Sequence, residues 1–179
     1  MKEKVFAHCT SIYALDLDFF NEYPIKALVI DRDNTLDSYE ALSPSQEALD
    51  LVSEIQKRGI RVLVVSNNVK KIIEPYGEKL GVPCLASSRK FSGKRILAFL
   101  KENGLEVKDC IFVGDQIFTD RIYTNKIKGR LILTEPLYQK DHFVTRFVRW
   151  LDKSIRRRWR KKNQLGRACP EKKGDKNAL

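Results

Sequence analysis

The chain has 179 residues, 42% of them apolar and 32% charged, with nine glycines, six prolines and a formal net charge of +11. A chain of this size buries enough surface to hold a core without staples, and its composition excludes collagen-like, disulfide-scaffold and wholly disordered readings. The charge is uneven: from Lys153 to Leu179 eleven basic residues stand against Glu171 and Asp175, leaving residues 1–152 with only +2.

The apolar runs are far too short to cross a bilayer, and the first residues carry charge but no apolar stretch or small-residue cleavage site. The expectation is a cytoplasmic soluble protein or one that sits on a membrane without spanning it, the inner face of the membrane being the favoured place. Cys9, Cys84, Cys110 and Cys169 show no C-x-x-C spacing, and the two histidines, His8 and His142, stand at opposite ends of the chain. That pattern signals neither a zinc site nor a disulfide framework.

In chain order, residues 27–31 form an apolar run rich in strand formers, introduced by Pro24. Residues 44–58 place apolar side chains at 48, 49, 52 and 55, which is helical spacing. Ser43 is expected as the N-cap with Pro44 at the first helical position, and Gly59 as the stop. Residues 60–66 make a second strand, followed after Asn68 by a short helix interrupted at Pro75. A helix over 93–103 leads to strands at 110–114 and 131–134, with about ten helical residues between those two strands. Apolar strands alternating with amphipathic helices predict a parallel sheet with helices on both faces.

Ligands of open α/β sheets bind beyond the carboxyl ends of the strands. The polar residues found there are Asp31, Asp33 and Thr35, then Ser66, Asn67 and Asn68, then Asp115, Gln116, Thr119 and Asp120. Gathered carboxylates are costly unless a cation neutralises them, and oxygen donors without clustered His or Cys favour Mg²⁺. One carboxylate can serve as nucleophile through an aspartyl-phosphate, and a second, two residues on, as general acid and then base. The turn residues Asn34 and Thr35, with Ser66, Asn67 and a lysine, would hold phosphoryl oxygens. The reaction class expected is Mg²⁺-dependent phosphoryl transfer to water.

Asp31-Arg-Asp-Asn-Thr35, Val65-Ser-Asn-Asn68, Arg89-Lys90 and Gly114-Asp-Gln-Ile-Phe-Thr-Asp120 resemble, in order, the four motifs of haloacid dehalogenase-like (HAD) phosphatases. The wording of the last three resembles the YqeG-like branch, which includes the phosphatidylglycerophosphate phosphatases of mitochondria and plastids. D-x-D-x-T alone recurs by chance; four motifs in order, each at or just past a strand end, carry the likeness from about Ile12 to about Arg149.

The resemblance implies a Rossmann-like HAD fold and makes Asp31 the nucleophile and a metal ligand. It makes Asp33 the general acid/base, offering its backbone carbonyl to the metal. Ser66 and Lys90 would hold the phosphoryl group, while Asp115 and Asp120 would hold the metal or its water. Lys90 is preferred over Lys94 because the family lysine directly follows the Arg-like position. Phe91 departs from the family's usual proline, and Tyr123-Thr124 stands where the bacterial branch has a glycine pair. Arg32, apolar in many relatives, resembles the mitochondrial and plastid members. The short spacing from Asp31 to Ser66 leaves room for one loop and one helix and none for a cap domain. An open site of that kind suits a bulky substrate such as phosphatidylglycerophosphate.

Rival phosphate chemistries fail on spacing. Gly93-Lys94 has no glycine five residues earlier, as a Walker loop needs, and Cys84 precedes Arg89 by one residue too few for a cysteine phosphatase.

At the end of the chain, Phe143, Phe147, Leu151, Ile155 and Trp159 recur every four residues opposite an Arg- and Lys-rich face. The expected division is a phosphatase domain over 1–150 and a basic tail over 151–179. In that tail the run from Arg156 to Lys162 is too charged to pack and suits an anionic membrane surface, and the residues after Gly166 are disordered. Nucleic acid is the less favoured partner of the same charges.

Overall fold

A computed structural model describes residues 3–88, 93–137, 143–162 and 164–172, with the backbone alone at 143–150. Its elements in order are β1 (Ala7–Cys9), α1 (Phe19–Glu22), β2 (Ala27–Asp31), α2 (Gln46–Lys57), β3 (Arg61–Val65), α3 (Lys70–Leu80), β4 (Cys84–Leu85), α4 (Lys94–Glu102), β5 (Cys110–Gly114), α5 (Ile122–Lys126), β6 (Arg130–Thr134), α6 (Phe143–Lys161) and β7 (Arg167–Ala168).

The strands form one seven-stranded sheet in the order β4-β3-β2-β5-β6-β1-β7, and every neighbouring pair is parallel. Every residue of β2 and of β5 is buried, as central strands of a covered parallel sheet require. Alternate side chains serve two cores. Leu28, Ile30, Val62, Val64, Ile111 and Val113 meet Phe19, Leu51, Ile55 and Tyr76 on one face. Val29, Leu63, Val65 and Phe112 meet Ile96, Phe99 and Tyr123 on the other. From β2 the chain moves outward to β3 and β4, then crosses back to β5 on the other side. This reversal opens a crevice at the carboxyl ends of β2 and β5. Between β2 and β3 there is one loop and α2, with no cap domain.

Several local expectations are corrected. The N-cap of α2 is Ser45, whose side chain accepts from Ala48 N, so Ser43 and Pro44 lie before the helix. Ser45 wins because its own N–H is anchored 3.1 Å from Asp37 Oδ2. Pro75 does not interrupt α3: buried Ile73, Tyr76, Gly77 and Leu80 hold one face of the helix through it, tertiary packing overriding propensity.

The basic segment also differs from expectation. The boundary at 150/151 falls inside α6, and the run from Arg156 to Lys162 packs in part: Arg156 is 4% exposed and Trp159 lies against the second core, while Arg157, Arg158, Arg160, Lys161 and Lys162 are exposed. Arg121 caps the Trp159 ring at 5.1 Å, so the indole is committed to the protein. Past Gly166, β7 pairs with β1, Cys169 N donates to His8 O at 2.8 Å, and Cys169 is buried. Backbone pairing to an open sheet edge is indifferent to side-chain charge, which is why a polar segment serves as a strand.

Candidate active site

Asp31 ends β2, and Asp115 is the first residue past β5 on the neighbouring strand. Because Ile30 is in register with Val113, the two acids sit one residue apart in height at the same sheet edge. Asp120 joins them from a wide turn over Ile117–Arg121, in which Arg121 N reaches back five residues to Gln116 O. Asp31, Asp115 and Asp120 are 2%, 3% and 0% exposed, and one carboxylate oxygen from each lies within 4.8 Å of the others.

Gly114 makes this approach possible. A Cβ there would stand 2.4 Å from Asp120 Cγ, closer than atoms pack, so only glycine lets Asp120 fold back over β5. Asp120 Oδ2 in turn accepts the Gln116 N–H at 3.0 Å. Three buried carboxylates with no soft ligand among them fit a hard divalent cation held by oxygen, and burial of so much like charge favours its binding.

Asp33 lies in the turn after β2 and is not one of this trio. Its Oδ2 accepts the Ser66 hydroxyl at 2.7 Å, and its Oδ1 is 3.3 Å from Arg32 Nε. Ser66 Oγ also accepts Asn68 N–H at 2.9 Å, so one hydroxyl joins the turn after β3 to the turn after β2. The β2 turn is tight. The Leu36 and Asp37 N–H groups converge on Arg32 O, and Asn34 adopts a left-handed φ of 62°, a conformation Asn tolerates.

Arg32 is fully buried, over the Tyr76 ring at 5.1 Å, and donates to the carbonyls of Ser38, Tyr39 and Ala41. Asp37 Oδ2 accepts the Tyr76 hydroxyl at 2.7 Å, and burial with this carboxylate raises the phenol far above its ordinary value. Arg32, Asp37 and Tyr76 thus fix the loop that follows Asp31.

The remaining expected residues are not part of the trio. Asn34 and Thr35 are buried in the β2 turn, while Asn67 is exposed and accepts the Ser88 hydroxyl at 2.9 Å. Lys90, with Arg89 and Phe91, lies outside the described residues. Lys94 is exposed at the start of α4.

Sequence reasoning missed Arg32 and Asp37 as organisers of the turn, and Asp152 and Arg156 as partners of the turn after β5. Asp152 Oδ1 accepts Ile117 N–H at 2.8 Å, and Arg156 donates to Asp115 O, to Thr134 O at 2.8 Å and to Asp152 Oδ2 at 2.6 Å. A signal existed: Asp152 is the sole acidic residue of α6, four residues before Arg156.

Fold and site define a phosphatase of the HAD type. The chain belongs to the mitochondrial PGP phosphatase family, whose model matches residues 6–138, and it falls on the YqeG-like branch. It is 30% identical over 145 residues to the probable phosphatase YqeG of Bacillus subtilis, covering 81% of this chain and 84% of that protein. It is 27% identical over 161 residues to phosphatidylglycerophosphate phosphatase 1, chloroplastic/mitochondrial, of Arabidopsis thaliana. That match covers 83% of this chain, which spans only 45% of the plant protein's length. A solved structure of an uncharacterized protein from Listeria monocytogenes shares the fold with a TM-score of 0.54 at 14% identity. It covers 66% of this chain and 85% of that one.

Proposed function

We propose that the protein hydrolyses a phosphomonoester through an aspartyl-phosphate on Asp31, and that its substrate is phosphatidylglycerophosphate. The observation that supports the reaction is the meeting of Asp31, Asp115 and Asp120 oxygens within 4.8 Å at the carboxyl ends of β2 and β5. Support for the lipid comes from the family and from the named activity of the plant relative. The uncapped entrance, which lets a head group reach the site from a surface, is consistent with it.

Asp31, Asp115 and Asp120 would hold Mg²⁺, together with the Asp33 carbonyl. The ion supplies charge neutralisation that lets a carboxylate approach an anionic phosphoryl group. In the first half-reaction a carboxylate oxygen of Asp31 bonds to phosphorus as the bond from phosphorus to the alcohol oxygen breaks, and protonated Asp33 gives its proton to that oxygen. In the second, Asp33 takes a proton from water as the water oxygen bonds to phosphorus. The acyl phosphate then breaks, releasing inorganic phosphate and restoring Asp31. Ser66 holds Asp33 in place for both transfers, and Ser66, Lys90, Asn34, Thr35 and Asn67 are proposed to steady the phosphoryl oxygens.

Among the described residues no helix is long and apolar enough to cross a membrane. We place the protein at the inner membrane surface through the exposed Lys153, Arg157, Arg158, Lys161 and Lys162 of α6 and its end, each basic residue contributing about 1 kcal/mol near an anionic leaflet.

The test is phosphate release with Mg²⁺ from phosphatidylglycerophosphate in mixed micelles, compared with sugar and nucleotide monophosphates. Preference for the lipid, lost in Asp31→Asn, is expected. Preference for a soluble phosphomonoester would overturn the substrate, and activity retained in Asp31→Asn would overturn the mechanism. Vesicle co-sedimentation against RNA binding tests the surface, and RNA binding without vesicle binding would overturn the membrane placement.

A further inference from the structure

The proposed site uses carboxylates from β2 and from the turn after β5, yet that turn is gripped by a helix lying beyond the four motifs. We propose that Asp152 and Arg156 of α6 are positioning residues for the cation site, an inference that rests on the functional reading above.

The geometry turns on one peptide unit, the link between Asp115 and Gln116. Its carbonyl accepts from Arg156 Nη2, and its N–H donates to Asp120 Oδ2 at 3.0 Å. The plane that orients the Asp115 backbone is therefore held on one side by α6 and on the other by the third acid of the trio. The next N–H, of Ile117, donates to Asp152 Oδ1 at 2.8 Å. Asp152 Oδ2 is 2.6 Å from Arg156 Nε, so both grips belong to one ion pair.

Both partners are buried, Asp152 to 9% and Arg156 to 4% exposure. Charge-assisted hydrogen bonds in such a setting are short and directional. Arg156 also donates to Thr134 O at 2.8 Å, tying the turn to the carboxyl end of β6. Asp31 needs no such help, because it lies within a central strand, paired with Val65. Asp115 and Asp120 lie past the strand, where the turn, the Thr124 hydroxyl on Asp120 O and this pair set their backbone. Partners that orient ligands in this way tune affinity for a metal rather than bind it.

The test compares full-length wild type with Arg156→Gln and Asp152→Asn, with Arg160→Gln, an exposed position one turn further along the helix, as a control. Mg²⁺ binding is measured by titration calorimetry in the absence of substrate, and Mg²⁺ half-saturation of p-nitrophenyl phosphate hydrolysis is measured beside it. Weakening of Mg²⁺ binding by roughly 10- to 100-fold is expected in both variants, with the control within about twofold of wild type. Should Arg156→Gln fail to fold, Arg156→Lys is read the same way, because it keeps the charge beside Asp152 but cannot reach three acceptors together. Folded variants that bind Mg²⁺ as tightly as wild type would overturn the positioning role. A wild type that neither binds Mg²⁺ nor releases phosphate would overturn the functional reading itself, so the two failures are distinguishable.

Discussion

Ser66 Oγ lies 2.7 Å from Asp33 Oδ2, joining the ends of two adjacent strands through a single buried hydroxyl. The same oxygen accepts Asn68 N–H, so it is both donor and acceptor at full occupancy for its one proton. Ser66→Ala removes both contacts and leaves a buried carboxylate oxygen without its donor. A loss of about 1–3 kcal/mol in urea unfolding is expected, together with a fall in kcat larger than the change in KM. Asp33→Asn, which keeps the shape but cannot carry the proton, is expected to lower kcat by roughly 10²- to 10⁴-fold. Steady-state kinetics on a phosphomonoester would show whether the two losses follow that order.

Gly114→Ala is expected to be more damaging than an alanine in a strand normally is. The added methyl would meet Asp120 Cγ at 2.4 Å and push the acid out of the trio. The expected outcome is a stability loss of about 1–3 kcal/mol from overpacking, with weakened Mg²⁺ binding in calorimetry. A variant with wild-type cation affinity would show that Asp120 is not needed close to β5.

Binding of a divalent cation to three buried acids is expected to stabilise the native chain by mass action. At a free concentration of 100 times the dissociation constant the gain is about 2.7 kcal/mol. Thermal unfolding with Mg²⁺ and with a chelator reads this directly. In Asp115→Asn the melting temperature in chelator is expected to rise, because one repelling charge is gone, and the Mg²⁺ increment is expected to shrink.

His8 supplies a pH dependence. Burial lowers its imidazole from the ordinary value of 6.5, and the Arg160 charge adds to the effect. The unfolded chain takes up this proton first as pH falls, so stability is full above 6.5 and declines down to the lowered native value, then levels off. His8→Gln is expected to flatten that segment of the curve of melting temperature against pH; an unchanged slope would assign it to other groups.

The central strands were legible because each is a continuous apolar run of about five residues, and the acids at their ends were legible because turn residues there interrupt the apolar pattern. β1, β4 and β7 were not, since two or three residues carry no period and their pairing is a matter of backbone alone. Asp31, Asp33, Asp115 and Asp120 could be found by motif. Arg32 could be read only as a departure from the family pattern, because its role depends on Ser38, Tyr39, Ala41 and Tyr76 arriving together around it. The packing of Arg156 was hidden for a different reason: a basic run reads as solvated unless a buried acid one turn away is noticed.

β1, near the beginning of the chain, lies between β6 and β7, which come from far later in it. During synthesis on the ribosome β1 has neither of these neighbours until Arg130–Thr134 has been translated. A nascent polypeptide stalled before α6 would already hold β6 for β1 to join but would lack β7, leaving the outer edge of β1 open.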